Sequence, residues 1–359
     1  MEFQVGETHS GYEFLDVLKR SKNGIEFRVK NTLAGRIEAL RTMPDGAKND
    51  RQQSERFLRE MRVHAGLVHP NIVTLFNAVE LANQLVITTE LVEGPTVADR
   101  LSAGPLPWPE AVAIARQILA GAAYAHQHGI VHRNIAPENI LIGTAGIVKL
   151  ANFALAKGAG SPRLTQLGVP IGNVKYISPE QIKAIGDVDG RSDLYSIGMV
   201  LYEMLCGRPA FVMTSEFELM AAQVGSPPAP PQEVNPKVPA ELGAVLLKAL
   251  AKNPAERYQT AAEFDEALVR VTVSEMVRTA PAGPRAMPAS AVNGSGAPHA
   301  AKPEQASRPA VPQLPSNPTV PAFLAVRREP LLSRQQLILI GAAGICTGAV
   351  LTAIWVFVR

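Results

Sequence analysis

Between residues 12 and 91, apolar and polar positions alternate in short runs that predict β-strands. These runs are FLDVL (14–18), IEFRVK (25–30), RIEALRTM (36–43), NIVTLFNAV (71–79) and QLVITTEL (84–91). A single helical pattern, RQQSERFLREMRVHAGL (51–67), interrupts them. Beyond residue 95 the period lengthens: PEAVAIARQILAGAAYAHQHG (109–129) and SDLYSIGMVLYEMLCG (192–207) carry small and apolar residues at helical spacing, and Gly207 stops the second. A strand-rich lobe followed by a helix-rich lobe, with loop-rich sequence at the seam, predicts an α+β fold with a natural cleft.

The pattern breaks down near residue 280. The segment from 271 to 334, rich in Pro and Ala, buries too little apolar surface to offset the entropy of ordering it, and reads as a linker. Pro309, Pro312, Pro315, Pro318 and Pro321 recur every third residue, the repeat of a polyproline II helix. A semi-rigid spacer is the preferred reading, and a docking site for a proline-reading module the other. From Leu337 to Val358 no charge interrupts LILIGAAGICTGAVLTAIWVFV, which is long enough to span a bilayer core of about 30 Å as a helix. Arg327, Arg328 and Arg334 precede it and only Arg359 follows, so the positive-inside bias keeps the preceding part in the cytoplasm. The expectation is a tail-anchored, single-pass protein of the inner membrane. Gly344 and Gly348 form a G-x-x-x-G that lets helices approach in lipid and homodimerise, although a span rich in Gly and Ala also produces this pattern by chance. The expected organisation is a lead (1–11), a globular domain (12–270, its lobes at 12–91 and 95–270), a linker (271–334) and a membrane helix (337–358).

Composition narrows the function classes. The 359 residues are 47% hydrophobic, ample for a core, and the net charge of +3 comes from dispersed basic residues, which argues against nucleic acid as a partner. Cys206 and Cys346 lie in unlike segments, so neither a disulfide framework nor a Cys/His metal site is expected. The N-terminus opens without an apolar run and gives no secretory signal.

Short motifs at the seam follow one another in a telling order: EALR (38–41), Glu60 in the helical pattern, HPNIV (69–73), HRNIAPENIL (132–141), VKLANFALAK (148–157) and YISPEQ (176–181), then Asp193 and Arg257. Over residues 12 to 270 the chain resembles the protein-kinase domain, most closely the eukaryotic-like serine/threonine kinases of bacteria. That resemblance implies a bilobal kinase-like fold. It also implies ATP and Mg2+ as cofactors and allows each site position to be judged on chemistry, since phosphoryl transfer depends on positioning and charge neutralisation.

Most of those positions depart from the family pattern. Where the family has three glycines covering the phosphates, this chain has Lys19, Ser21 and Gly24, and Glu26 stands where a valine would cap the adenine. Arg41 takes the place of the phosphate-binding lysine, with Glu60 as its expected partner, and a forked guanidinium does not replace an ammonium conservatively. Asn134 replaces the aspartate that accepts the substrate proton, and an amide has no basic site for it. Ala136 replaces the lysine that neutralises the transferring group. Asn139 keeps an oxygen for the second magnesium, but Asn152 replaces the main metal carboxylate, with Ala154 for the glycine two residues on. Two amide oxygens bind magnesium weakly. Asn173 replaces the threonine that would bond to positions 134 and 136. Ser161 and Thr165 lie in the region of the activation segment, where phosphorylation sites would fall.

Other positions match. The resemblance assigns His64, Leu75, His132 and Phe153 to the stack joining the lobes, Ala39 and Leu141 to the adenine sandwich, and Glu90 and Val92 to the nucleotide-binding strand end. It assigns Glu180 and Arg257 to a bracing ion pair and Asp193 to the loop anchor. Three readings follow. The first is a membrane-anchored pseudokinase acting as scaffold or allosteric partner of an active kinase or envelope protein. The second is a weak or atypical ATP-dependent serine/threonine kinase. The third is an interaction module without nucleotide, using the surface around Phe217 to Met220 or the proline ladder.

Overall fold

The computed structural model describes residues 3–21, 24–43, 57–58, 61–153, 156, 173–183 and 188–279. Residues 280–334 of the linker, the apolar stretch 337–358 with Gly344 and Gly348, and Glu60, Ala154, Ser161 and Thr165 lie outside the described residues, whereas residues 271–279, which the sequence reading gives to the linker, continue the last helix of the second lobe. Among the described residues no helix is long and apolar enough to cross a membrane.

The first lobe is a six-stranded antiparallel sheet of β1 (Thr8–His9), β2 (Tyr12–Ser21), β3 (Gly24–Asn31), β4 (Arg36–Thr42), β5 (Leu75–Leu81) and β6 (Gln84–Glu90), in the order β1-β2-β3-β4-β6-β5. Alternation explains its core. Tyr12, Phe14, Phe27, Val29, Leu40 and Val86 turn to one face and pack together, and Phe3 stacks on Phe14 with ring centroids 4.8 Å apart. The run predicted to start at Asn71 becomes a strand only at Leu75. Residues 71–73 are drawn instead to the second lobe: the Val73 N–H donates to the Leu150 carbonyl, the Leu150 N–H donates to the Asn71 carbonyl, and Asn71 Nδ2 donates to the Val148 carbonyl at 2.8 Å.

The second lobe contains α1 (Val97–Leu101), α2 (Trp108–Gln127), the two-stranded hairpin β7 (Ile140–Ile142) and β8 (Val148–Leu150), α3 (Pro179–Lys183), α4 (Gly190–Cys206), α5 (Glu216–Gly225), α6 (Pro231–Val234), α7 (Ala240–Ala249) and α8 (Ala261–Thr279). Buried positions recur along α2 at the spacing of one helix face, whereas α4 is buried on every side and so forms the axis of this lobe. Asp189 caps the start of α4, and Gly207, at φ +69°, ends it as the sequence predicts. A Cβ at Gly121 would sit 2.7 Å from the Asn71 carbonyl, so this glycine lets the linking segment lie against α2.

Arg257 is withdrawn from solvent and clamps Glu180 through two bonds of 2.7 and 2.8 Å, the ion pair expected from sequence. Burial pushes the Glu180 carboxyl up, but the Arg257 guanidinium outweighs it and holds the group below its ordinary value. This stability is complete above the unfolded value of 4.5 and is lost as pH falls through the lower folded value. Glu180→Gln should therefore lower unfolding free energy by about 3 kcal/mol at neutral pH in urea titrations. The gap between wild type and variant should shrink as the pH is taken below the ordinary carboxylate range.

Candidate functional site

The loop from His132 to Asn139 is shaped by one buried charge. Asp193, fully buried on α4, accepts the backbone N–H groups of His132 (2.9 Å) and Arg133 (2.8 Å) and the imidazole N–H of His126 (2.7 Å). Burial raises the carboxyl, but the His126 bond and the neighbouring charges and N–H groups prevail and leave it below its ordinary value. These bonds hold Arg133 at φ +65°, a conformation most residues avoid. The Asn134 N–H donates to His132 Nδ1 at 3.2 Å, which leaves the His132 proton on Nε2 for the Ala151 carbonyl at 3.1 Å. Phe153 lies between His132 (4.5 Å between centroids) and His64 (5.2 Å), so three members of the expected inter-lobe stack are in contact. Leu75 packs in a neighbouring cluster with Met43, Phe57, Met61 and Ile87.

A chain of amides occupies the floor of the cleft. Asn152 Nδ2 donates to Asn139 Oδ1 at 3.0 Å, and Asn139 Nδ2 donates to the Asn134 carbonyl at 2.8 Å. The oxygen that the resemblance reserves for a metal is thus engaged as an acceptor. Asn152 Oδ1 is buried with no hydrogen-bond partner among the described residues. The backbone of Asn152 sits at φ +66°, which asparagine tolerates better than most residues. Ala136 is buried in the core of the second lobe, and Asn173 turns to Glu138, donating at 2.9 Å, instead of to position 134.

The roof is the β2–β3 hairpin. Its register pairs Lys19 with Glu26 and Ser21 with Gly24, and pairs Glu26 with Arg41 on β4. Directly opposed residues share a face, so Lys19, Glu26 and Arg41 stand side by side on the same face as Ala39, two residues from Arg41. Arg41 also lies over the Phe57 ring at 5.5 Å. Gly24 has φ +109°, and a Cβ there would meet the Thr42 carbonyl at 2.2 Å, so this glycine serves close packing of the roof against β4. On α1, Asp99 is held below its ordinary value by its bonds to Thr96, with a smaller pull from the charge of Lys19.

At the back, Glu90 accepts the Thr74 N–H (2.6 Å) and Lys149 Nζ (2.8 Å), and Arg28 reaches Glu93 at 3.3 Å. The segment following Val92 is pinned to β7 and the turn after it by the Ile142 N–H donating to the Pro95 carbonyl and the Thr144 N–H donating to the Glu93 carbonyl. Gly94, at φ +150°, presses against the Ile142 carbonyl, where a Cβ would come within 1.9 Å. Leu141, on β7, is half-buried and bridges to Thr96. Sequence reasoning missed Lys149 and His126. The signal for Lys149 is a lone cation between two buried apolar residues, Val148 and Leu150; His126 has only its position in the last turn of α2.

The protein kinase domain model matches residues 12–268. The chain belongs to the protein kinase domain family. It is 41% identical over 223 residues to the serine/threonine-protein kinase PknB of Mycobacterium leprae, a stretch covering 60% of this chain and 36% of that protein. It is 34% identical over 263 residues to the serine/threonine-protein kinase PrkC of Bacillus subtilis, covering 73% of this chain and 40% of that one. The chain therefore spans less than half the length of these curated relatives. The crystal structure of the Mycobacterium tuberculosis PknI kinase domain superposes with a TM-score of 0.60 at 27% identity, covering 76% of this chain and all of that one. The expected bilobal kinase fold is the observed one, and kinases of this family generally use ATP and Mg2+.

Asp193→Asn would turn an amide N–H toward one of three donors. It should lower stability by about 3 kcal/mol in chemical denaturation and make the loop at 132–139 exchange its amide hydrogens faster.

Proposed function

We propose that this kinase-fold domain is catalytically silent and acts as a membrane-anchored scaffold or allosteric signalling partner. The observation that carries this reading is the hydrogen bond from Asn152 Nδ2 to Asn139 Oδ1, which joins the two side chains that would otherwise ligate metal. These residues do not fit a magnesium ion: neither is a carboxylate, one oxygen already accepts an N–H, and hard dications favour charged oxygen ligands. Asn134 offers no basic site for a substrate proton, and Ala136 is buried without a charge to give. Loss of a general base alone costs about 10² to 10⁴ in rate, and loss of charge stabilisation adds to it.

The intact brace and stack favour a domain kept for its shape. Phe217, 77% exposed on α5, with Val212 and Met213 exposed shortly before it, favours a protein partner on that surface, either an active kinase or an envelope protein. Residues 337–358 are proposed as a single-pass anchor in the inner membrane with the kinase-like domain cytoplasmic, and Gly344 and Gly348 as a homodimer contact. A second reading, a weak or atypical serine/threonine kinase, is favoured by the assembled His64–Phe153–His132 stack and by relatives named as kinases.

A radiolabelled phosphate-transfer assay with a positive-control kinase separates the two. The expected result is no transfer above background; autophosphorylation that disappears in Asn139→Ala would sink the silent reading. Asn152→Asp sets a carboxylate against Asn139 Oδ1, which should lower the Tm by removing about 1–3 kcal/mol. Millimolar MgCl2 should restore part of that loss in the variant and leave the wild-type Tm unchanged.

A further inference from the structure

The last turn of α5 ends on a carbonyl that its own helix cannot satisfy. Four residues after Gln223 stands Pro227, which has no N–H to return to it. Lys252, on the segment between α7 and α8, supplies the donor: its Nζ reaches the Gln223 carbonyl at 2.8 Å and the Tyr195 hydroxyl, on α4, at 3.3 Å. A cation at this end also suits the helix dipole. The fully buried Gln223 side chain accepts the Tyr195 O–H and donates to the carbonyls of Val174 and Lys175 at 3.3 and 2.7 Å. Lys252 therefore completes the bonds that seat α5, the bearer of the exposed Phe217, against α4 and the segment at 173–176.

No carboxylate balances this ammonium among the described residues. Its partners are the two neutral oxygens and the ring faces of Phe211 (4.5 Å to the centroid) and Tyr195 (5.6 Å). The charge that acts on it is the like-charged Arg257 guanidinium, which shares the Tyr195 ring at 4.8 Å and is itself taken by Glu180. Burial, with a smaller push from Arg257, lowers the Lys252 ammonium to about 8. At pH 7.5 roughly a quarter of such side chains carry a free amine, against about 0.1% for an ordinary lysine. A weaker base is a weaker nucleophile, by the trade-off known for thiols, which cuts that gain to about tenfold. The side chain is half-buried, and once neutral it gives up only a neutral hydrogen bond on turning to solvent.

We propose that Lys252 is an acylation site, modified by acyl phosphates, and that its modification frees the last turn of α5. The free amine attacks the acyl carbon, the new N–C bond forms as the C–O bond to phosphate breaks, inorganic phosphate leaves with the electron pair, and the proton on nitrogen passes to water. An ammonium with three N–H groups becomes a neutral amide with one, and the acyl group adds bulk beside Phe211. The regulatory meaning rests on the reading of α5 as a partner surface; the modification and its effect on α5 do not.

Incubation of the full-length chain in detergent with acetyl phosphate, followed by peptide mass spectrometry, tests this. At pH 7.5 Lys252 should be acetylated about tenfold faster than the exposed Lys30 and Lys237, and its rate should level off above pH 8 while theirs keep rising. Acetylated protein and Lys252→Gln should both exchange the amide hydrogens of residues 222–226 about fivefold faster than unmodified wild type. Lys252→Arg keeps a cation at the carbonyl, so it should match wild-type exchange. Equal rates at the three lysines, or a Lys252 rate that climbs with pH as theirs do, overturns the site. Acetylation at Lys252 with unchanged exchange in α5 overturns the release. A partner that fails to bind at Phe217 would remove the surface reading and leave both of these results standing.

Discussion

Burying the Asp193 carboxylate in the first turn of a helix buried on every side is tolerable only because three N–H donors converge on it. An unpaired charge at that depth would cost several kcal/mol, so the donors are held as firmly as the charge is buried. Two of them belong to the backbone of His132 and Arg133, and this fixes the path of the loop before any side chain at 134, 136 or 139 is considered. The shape of the site therefore does not depend on its chemistry. His132, placed by the same bonds, supports Phe153, which in turn meets His64 from the other lobe.

Within that frame, exchange of carboxylate for amide at position 152 is structurally mild. Asparagine and aspartate are close in size, and both accept the left-handed backbone required there. What changes is the sign of the hydrogen-bonding groups: an acceptor pair at 139 and 152 needs a cation between its members, whereas an amide at each position lets one donate to the other. The floor thereby closes on itself. The remaining Asn152 oxygen is left without a hydrogen-bond partner among the described residues.

Much of this was legible in the sequence because it resides in local pattern. Alternation marks the strands of the first lobe, Gly207 marks the end of α4, and the resemblance to the protein-kinase domain assigns Glu180 and Arg257 to the brace and Asp193 to the loop anchor. The bonds that give the site its character were not legible, because they join residues whose separation in sequence says nothing of their approach. Lys149 meets Glu90 across 59 positions and Asp193 meets His126 across 67. Asn173 illustrates the limit: its substitution is visible, but its turn toward Glu138 depends on tertiary placement. The start of β5 shifts from Asn71 to Leu75 for a similar reason, since residues 71–73 pair with the second lobe and leave the sheet.

The lobes are consequently held together by the chain's own contacts. The exposed Arg28–Glu93 pair contributes little, about 1 kcal/mol at most, because water screens it. Lys149 and Glu90 are better shielded, and the backbone bonds that tie Asn71 and Val73 to Leu150 cannot be released without stranding peptide groups in the interior. In an enzyme that draws its lobes together around a charged nucleotide, closure responds to the ligand. Here the backbone ties through residues 71–73 and the His64–Phe153–His132 stack join the lobes through the chain's own groups, and on the proposed scaffold reading they would hold the outer surfaces of the lobes in one arrangement.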